Sequence, residues 1–300
     1  ISMLIKKIFE DYMTKKFNTY DIGFIIAPIF NAAGRLEDAK RAVELFIEKD
    51  HRVCSEIINE LLNNNTERKE IQEMILERAL FKIENEKLFE DSVLVVAEEG
   101  FHHGVIGIVA SKILDRYYKP TIIMEIKAEE GIATASCRSI EGFNMIEALN
   151  TMKELFVKYG GHAGAAGFSI KIENINEFSK RINEYAKENI PESSLIKPVK
   201  LDITIPAYKI SYDFIDKISL LEPFGFGNPS PLFALNNCEI SGVRPIGKEK
   251  NHTMFNVRKD NLEIRNCVWF SSDDVFNEIA SISHADIAFK LKLETFKDKY

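Results

Sequence analysis

Apolar residues recur at helical spacing through residues 39 to 89, and no glycine or proline interrupts this segment. Such a period, with one apolar face, predicts long helices that pack against a core. A polar run from Asn63 to Thr66 predicts a break, with Thr66 capping a second helix. Packing alone accounts for the apolar positions, so no chemistry is assigned to these helices.

The pattern changes to alternating strands and helices between residues 91 and 192. Short apolar runs predict buried strands, and longer segments with a period near 3.6 predict helices. This alternation predicts a mixed sheet with helices packed against it. The predicted strands are 93–97, 121–126, 132–136 and 168–172, and the predicted helices are 105–117, 144–156 and 175–185.

A polar stretch near residue 193 and Pro198 predict a domain boundary. Beyond it, in the last third of the chain, apolar and polar residues alternate with a period of two. Strands are predicted at 253–257, 262–266 and 287–293, with turns between them. Several short strands predict a small all-β barrel of the oligonucleotide-binding type, and a β-sandwich is the alternative.

Length and composition set the broad class. The 300 residues, 45% of them hydrophobic, favour two globular domains. No apolar stretch approaches the roughly 20 residues that span a bilayer, and no export signal opens the chain, so we expect a cytoplasmic protein without membrane contact.

The four cysteines form no CxxC pair, which argues against a zinc site or a disulfide framework. Cys137 is interpreted as an inert small residue, with a reactive thiol as the less favoured alternative.

The net charge of -7 argues weakly against indiscriminate nucleic-acid binding. It does not exclude a local basic surface, because the segment from Arg244 to Arg265 carries six Lys and Arg residues against three acidic ones. In the same region Phe255, Trp269 and Arg258 are candidates for stacking on bases and neutralising phosphates. A core position is the alternative for Trp269.

A glycine-rich run is the most unusual local feature of the chain. Four of the 15 glycines lie between Gly160 and Gly167, with alanines and His162 between them. Such a run loses packing area and costs conformational entropy, so something must require a close approach or a positive φ. Exposed backbone N–H groups suit anionic oxygens, and His162 adds a donor. We predict a site for a phosphate-bearing substrate, with a tight turn against a helix as the alternative.

Two further segments carry polar groups at the ends of predicted elements. Ser136 and Arg138 end a strand; a guanidinium can bind a phosphate through two parallel hydrogen bonds, and a serine hydroxyl can add a third. A surface salt bridge is the alternative for Arg138. His102 precedes the helix predicted from Val105, where an anion would meet the helix dipole. His102 and His103 form a pair, but a metal site is disfavoured there because no nearby carboxylate or cysteine lies at ligand spacing.

The segment from Asn31 to Leu36 follows Pro28 and predicts a small-residue turn that presents Arg35 before a helix. A helix cap with a solvated arginine is the alternative.

These segments, in content and order, resemble the RecJ family of bacterial single-strand-specific DNA exonucleases in the DHH phosphoesterase superfamily. The resemblance covers nearly the whole chain. Its motifs are NAAGRL at 31–36, FHHGVIGIVAS at 101–111, SCRSIEGFNMIEAL at 136–149, GGHAGAAG at 160–167 and LEPFGFGNPSPLF at 221–233.

The resemblance implies a 5′ to 3′ exonuclease that hydrolyses phosphodiesters with Mn²⁺ or Mg²⁺ and acts in DNA repair and recombination. The family's metal ligands belong to an N-terminal DHH domain, and these 300 residues contain no Asp-His-His sequence. We therefore expect the chain alone to be inactive. The expected parts are the end of the catalytic core (1–38), connecting helices (39–90), a DHH-associated substrate-binding domain (91–192) and a truncated oligonucleotide-binding-like domain (193–300).

The resemblance also implies which residues bind substrate. His162 is expected to hold the substrate phosphate in a supporting catalytic role, and no metal ligand is expected in this chain. The expected partners are single-stranded DNA, a single-strand-binding protein and a helicase. The expected substrate-binding residues are Arg35, His102, Ser136, Arg138, Gly160, Gly161 and His162.

The chain departs from the family pattern at three positions. Ile29 stands where an arginine is usual, Phe101 where a tryptophan is common, and Cys137 where a glycine is frequent. The first two are expected to be packing changes. Cys137 bears on how closely the backbone beside Arg138 can approach a substrate.

Two other functions fit parts of the sequence. A smaller DHH phosphodiesterase acting on short oligonucleotides or cyclic dinucleotides would share the glycine-glycine-histidine motif, but such enzymes generally lack the extra barrel that begins near Leu221. A non-catalytic accessory protein that binds single strands would explain the acidic charge and the missing ligands.

Overall fold

The computed structural model describes residues 1–15, 17–272 and 275–292. It divides into two compact units, Ile1–Lys197 and Pro198–Tyr300. The end of the last predicted strand, Leu293, and the segment that follows it lie outside the described residues. No helix in the described ranges combines the length and the apolar content needed to cross a bilayer.

The first unit begins with helices that share a buried core. Leu4, Ile29, Leu45 and Leu61 pack together in it. A π-helical segment, Asp21–Ile26, leads directly into the second helix. The helices are α1 (Ser2–Ile8), α2 (Ala27–Leu36), α3 (Lys40–Ile47) and α4 (His51–Asn85).

Helix α4 is one continuous helix of 35 residues. The side chain of Asp50 caps its start, accepting hydrogen bonds from the backbone N–H groups of Arg52 and Val53. The predicted break at residues 63 to 66 is wrong. Thr66 Oγ1 donates to the Leu62 carbonyl oxygen at 3.1 Å, so its hydroxyl bonds within the helix and does not cap a new one.

A mixed sheet forms the centre of the first unit, as predicted. Its five strands within the described residues lie in the order β1-β2-β3-β5-β4, with β1 parallel to β2 and the remaining neighbours antiparallel. The strands are β1 (Leu94–Glu99), β2 (Thr121–Lys127), β3 (Ile132–Arg138), β4 (Phe156–His162) and β5 (Ala165–Lys171). The helices around them are α5 (His103–Tyr117), α6 (Met145–Asn150) and α7 (Ile175–Asn189).

The helix predicted over residues 144–156 is shorter than expected. Helix α6 ends at Asn150, and Phe156 begins strand β4. The Phe156 ring packs on Phe168 and Phe178 at centroid distances of 4.7 and 5.6 Å. This aromatic contact with the sheet and with α7 replaces the helical conformation, which the local sequence pattern favoured.

The two faces of the sheet pack against different helices. Ala135, Cys137 and Phe168 point to one face and are buried with residues of α6 and α7. On the other face Val96 and Ile123 pack with α4 and α5. Because side chains alternate along a strand, Ser136 and Arg138 of β3 point to this second face.

The second unit is a mainly antiparallel sheet, and buried residues alternate with more exposed ones along its strand β8. Strand β8 buries Thr253, Phe255 and Val257 on one side, as the alternation predicts. The described strands lie in the order β10-β7-β8-β9, and β6 pairs with β7. The elements are β6 (Ile203–Thr204), α8 (Tyr212–Ser219), β7 (Phe233–Ile246), β8 (His252–Lys259), β9 (Leu262–Trp269), α9 (Phe276–Ser281) and β10 (His284–Phe289).

The candidate stacking residues of this unit differ in exposure. Phe255 lies in the core, so the prediction that it stacks on bases is wrong. Arg258 forms an ion pair of 2.6 Å with Glu239, which leaves it less free to bind phosphate. Trp269 is 50% exposed, so a core position does not describe it.

Candidate phosphate-binding site

Arg35 lies at the end of helix α2, against the start of helix α5. The turn predicted from Asn31 to Leu36 is wrong, because these residues are the last turns of α2. Arg35 Nη1 donates to the Gly104 carbonyl oxygen at 3.0 Å. A Cβ atom on Gly104 would lie 2.0 Å from the Arg35 carbonyl oxygen. Only glycine therefore permits this approach of the two helices.

Arg138 lies beside the second turn of α5. Its Nε donates to Ser111 Oγ at 3.1 Å, and its Nη1 donates to Ser136 Oγ at 3.2 Å and to the Cys137 carbonyl oxygen at 2.8 Å. A Cβ atom on Gly107 would lie 3.0 Å from Arg138 Nη2. The small residue makes room for the guanidinium, whose Nη2 has no hydrogen bond to the described part of the chain.

The charges of Arg35 and Arg138 are not balanced by acidic side chains. No carboxylate in the described residues forms an ion pair with either guanidinium. Burial lowers the pKa of Arg138, and the positive charge of Arg35 lowers it further. Two like charges in a half-buried place favour a neutralising anion near them.

His102 caps helix α5, which begins at His103, two residues before the predicted start. Its Nδ1 accepts a hydrogen bond of 3.2 Å from the backbone N–H of Gly104. In the neutral ring the proton therefore resides on Nε2, which can donate. Because His102 already satisfies one N–H group of the first turn, the helix end offers an anion fewer free donors than predicted.

The glycine run forms a hairpin at the edge of the sheet. Strands β4 and β5 pair Gly160 with Gly167 and His162 with Ala165. The turn is held by its neighbours, since the Ala163 carbonyl oxygen accepts from the backbone N–H of Met145 at 3.0 Å. Met145 begins helix α6, so the turn between β4 and β5 is a tight turn against a helix, which the sequence analysis gave as the alternative. Because β5 lies between β3 and β4, its N–H groups are engaged in the sheet.

Gly161 and Gly160 differ in whether the fold leaves room for a side chain. A Cβ atom on Gly161, which has φ +147°, would lie 2.5 Å from the Ala165 carbonyl oxygen. Around Gly160 no atom of the described residues lies within 4 Å of such a Cβ. Gly161 is therefore needed for the hairpin, whereas the absent side chain of Gly160 leaves the surface of the sheet open.

The register places the predicted polar residues on one face of the sheet. Arg138 pairs with Ala165, and Ala165 pairs with His162; two residues away, Ser136 pairs with Gly167 and Gly167 with Gly160. Directly paired residues point to the same face. We call Gly160 and Gly167 the glycine floor. An open cavity of about 310 Å³ extends along it, lined by Thr134, Ala135, Lys158, Tyr159, Gly160, Gly167, Phe168 and Ser169.

His162 stands exposed beside the glycine floor. Its Nδ1 accepts a hydrogen bond of 3.2 Å from the backbone N–H of Gly164, which leaves Nε2 as the donor in the neutral ring. Cys137 is fully buried on the opposite face, and burial raises the pKa of its thiol. Its side chain therefore does not narrow the site beside Arg138, in agreement with its interpretation as an inert residue.

One cation near this site escaped the sequence analysis. Arg68 of helix α4 donates from Nη1 to Gln72 Oε1 at 2.9 Å and from Nη2 to Asn65 Oδ1 at 2.8 Å. Burial lowers its pKa, as does the charge of Arg35. The available signal was the position of Asn65, Arg68 and Gln72 at core spacing between Leu61 and Ile75.

The described residues contain no group of three or more His, Cys, Asp and Glu side chains arranged to hold a metal ion. The cluster at α5 is instead a cationic site. Its chemistry suits the binding of an anion such as phosphate.

Comparisons with known proteins assign both units to domain families. The DHHA1 domain matches residues 90–188. The RecJ OB domain matches residues 201–300. The fold class predicted from the sequence, a DHH-associated α/β domain followed by an oligonucleotide-binding domain, is confirmed.

The similar proteins are exonucleases by name. The single-stranded-DNA-specific exonuclease RecJ of Bacillus subtilis is 33% identical over 94% of this chain, which covers 36% of that protein. The protein of the same name from Haemophilus influenzae is 30% identical over 94% of the chain, which covers 50% of that protein. The chain thus spans between about a third and a half of the length of these relatives.

Two crystal structures of RecJ from Thermus thermophilus share the fold. The complex with Mg²⁺ matches 99% of this chain with a TM-score of 0.79 at 26% identity, and the match covers 44% of that chain. The complex with Mn²⁺ matches 99% of this chain with a TM-score of 0.81 at 26% identity, over 42% of that chain.

Proposed function

The chain belongs to the RecJ family, and on this basis we propose that its 300 residues bind the substrate of a 5′ to 3′ single-stranded-DNA exonuclease. The reaction would be phosphodiester hydrolysis in DNA repair and recombination. A single-strand-binding protein and a helicase are the proposed partners, since together they would expose and present the strand. The proposed compartment is the cytoplasm.

One observation carries this proposal more than any other. The charge of Arg35 acts on Arg138 without acidic partners in the described ranges, and Arg138 lies on the same sheet face as the glycine floor. Unbalanced guanidiniums in a half-buried place are costly for a folded protein, so a ligand that neutralises them explains their presence. A nucleic-acid phosphate has the required charge and geometry.

The geometry of the cluster supports an individual role for each of its residues. Arg35 and Arg138 would neutralise a phosphate of the strand, and the Ser136 hydroxyl, already bonded to Arg138, would fix the orientation of that guanidinium. His162 Nε2 would donate to a phosphate oxygen in a supporting role. The glycine floor would let the sugar-phosphate backbone lie directly on the sheet.

A divalent metal ion, Mn²⁺ or Mg²⁺, is the proposed cofactor of the whole enzyme, as in the Thermus thermophilus structures. The described residues offer no ligand set for it, so we assign them to binding and not to metal chemistry. We expect the 300-residue chain to bind single strands without hydrolysing them when Mn²⁺ is added. Metal-dependent cleavage by a preparation free of other nucleases would contradict this assignment.

Binding tests the proposal directly. We expect a 5′-phosphorylated oligodeoxythymidine, labelled at its 3′ end, to bind the chain with an affinity that falls as salt increases. Arg138→Ala should weaken binding about 10-fold, as expected for a lost charge-assisted hydrogen bond. It should also reduce the slope of log affinity against log salt by about 0.7.

The matched control removes the same charge elsewhere. Arg52 is exposed on helix α4, and Arg52→Ala should preserve both the affinity and the slope. An Arg138→Ala protein that binds like the wild type would remove Arg138 from the site. If both Arg35→Ala and Arg138→Ala left binding unchanged, the proposed function of this cluster would be wrong.

A further inference from the structure

Helix α4 carries a polar stretch on its buried face. Leu61 and Ile75 are fully buried on this face, and Asn65 and Gln72 between them are also buried. Arg68 lies at the same helical spacing and is half-buried. Apolar side chains would pack better at these positions, so the stretch reduces stability unless it serves another purpose.

The environment of Arg68 keeps its charge unbalanced. Its two terminal nitrogens donate to the side-chain carbonyl oxygens of Gln72 and Asn65, which are neutral acceptors. Its Nε is buried and has no hydrogen-bond partner in the described residues. The Glu37 carboxylate accepts a hydrogen bond of 3.1 Å from Asn64 Nδ2, and it forms no ion pair with Arg68 in the described structure. The amides thus fix the direction of the guanidinium without neutralising it.

Arg68 also interacts with the site described above. The charge of Arg35 lowers the pKa of Arg68, an effect second to burial, and Arg35 acts on Arg138 in the same way. The hydrogen bond of 3.1 Å from Asn64 to Glu37, the residue that follows α2, places this part of α4 beside the end of α2 that carries Arg35. The charge of Arg35 thus acts on Arg68 as well as on Arg138, and a bound anion would relieve this repulsion.

We propose that Arg68 is a third phosphate-binding cation of this site, held by Asn65 and Gln72 so that its charge is available to the nucleic-acid strand. This inference rests on the proposed function, because it assigns Arg68 to the ligand of Arg35 and Arg138. The amide acceptors are essential to it. Aspartate at position 65 or glutamate at position 72 would fill the same space but neutralise the charge.

Two substitutions of Arg68 and one matched control test the inference on the 300-residue chain. Arg68→Gln removes the charge and keeps a polar side chain near the amides, and Arg68→Lys keeps the charge but loses the planar fork. Lys69 is the exposed neighbour on the same helix, and Lys69→Gln makes the same change in net charge. The probe is the labelled 5′-phosphorylated oligodeoxythymidine, titrated over a series of salt concentrations.

We expect Arg68→Gln to weaken binding about 10-fold and to reduce the salt slope by about 0.7. Arg68→Lys should keep the slope and lose part of the affinity. Lys69→Gln should match the wild type. Wild-type affinity and slope for Arg68→Gln would overturn the inference. If Arg68→Gln does not fold, Arg68→Lys decides alone, and wild-type affinity of that variant would count against the inference.

Thermal unfolding with inorganic phosphate separates binding from a structural role. A ligand that binds the folded state raises the melting temperature. We expect phosphate to raise the melting temperature of the wild type and of Lys69→Gln, and to have little effect on Arg68→Gln. If Arg68 only supported the fold, its variant would melt earlier but show the full rise with phosphate, and the inference would be wrong.

Arg138→Ala, measured in parallel, distinguishes this inference from the proposed function. Loss of binding in Arg138→Ala with wild-type behaviour in Arg68→Gln would overturn the role of Arg68 alone. Wild-type behaviour in Arg35→Ala, Arg68→Gln and Arg138→Ala would overturn both.

Discussion

The guanidinium of Arg35 donates a hydrogen bond of 3.0 Å to the carbonyl oxygen of Gly104. This contact joins the end of α2 to the start of α5, the helix whose Gly107 and Ser111 lie against Arg138. Arg35 and Gly104 are 69 positions apart in the chain, and only their packing makes them neighbours. The proposed phosphate-binding site therefore depends on a close approach between two helices.

Gly104→Ala tests this dependence. Its new methyl group would lie 2.0 Å from the Arg35 carbonyl oxygen, so the helices must separate. We expect the free energy of unfolding to fall by about 1 to 3 kcal/mol, as in other overpacked cores. Urea denaturation measures it. Gly23→Ala is the control, because nothing in the described residues lies within 4 Å of its Cβ, and it should not destabilise the protein.

Gly160→Ala tests the glycine floor. The added methyl group meets no atom of the described chain within 4 Å, so the melting temperature should not fall. The same methyl group would stand between the sheet and a bound sugar-phosphate backbone, and we expect weaker binding of the labelled oligodeoxythymidine. Stable protein with unchanged affinity would show that the strand does not lie on this surface.

Cys137 should be protected from alkylation in the folded protein. Its side chain is fully buried, and burial raises the pKa of the thiol, so the reactive thiolate is absent. Cys54, which is partly exposed, is the internal comparison. Mass spectrometry after iodoacetamide treatment should show modified Cys54 and unmodified Cys137, and both should react in denaturant. Rapid modification of Cys137 without denaturant would contradict its buried position.

The raised pKa of the Cys137 thiol also predicts how the free energy of unfolding changes with pH. The folded protein keeps the Cys137 proton at a pH where the unfolded chain, with an ordinary thiol pKa of about 8.5, has lost it. The unfolded state then binds fewer protons than the folded state. The contribution of Cys137 to the free energy of unfolding is therefore fully present below about pH 8.5 and decreases as the pH rises above it. Replacing Cys137 with Ala should flatten this decrease.

Trp269 should report on binding by the second unit. It is the chain's one tryptophan and is 50% exposed at the end of β9. If bases stack on it, its fluorescence should be quenched by single-stranded oligodeoxythymidine, and Trp269→Ala should weaken binding by about 1 to 3 kcal/mol. Trp269→Phe retains an aromatic face and should bind nearly as well as the wild type. Unchanged fluorescence at saturation would exclude Trp269 from the interface.

Local sequence patterns predicted much of the first unit and of the site. The alternation of strands and helices indicated the mixed sheet, and the motifs around Arg138 and His162 led to residues that share one face of it. Position along a strand decides this outcome, because paired residues point to the same side. The period of two likewise indicated strand β8.

Other features depended on contacts that no local pattern contains. The segment from Asn63 to Thr66 is polar and resembles a break, but the helix continues because Asn65 bonds with Arg68 and Asn64 with Glu37. Arg68 escaped notice for the same reason, since its relation to Arg35 arises from the packing of α2 on α4. The end of α6 was missed because Phe156 is recruited by the aromatic cluster on the sheet.

A crystal structure of the chain with a 5′-phosphorylated dithymidine would show whether Arg35 and Arg138 bind one phosphate together. We expect a phosphate within hydrogen-bonding distance of both Arg35 and Arg138, with the sugar-phosphate backbone over Gly160 and Gly167. A dinucleotide bound elsewhere, with the two guanidiniums free of phosphate, would contradict this expectation.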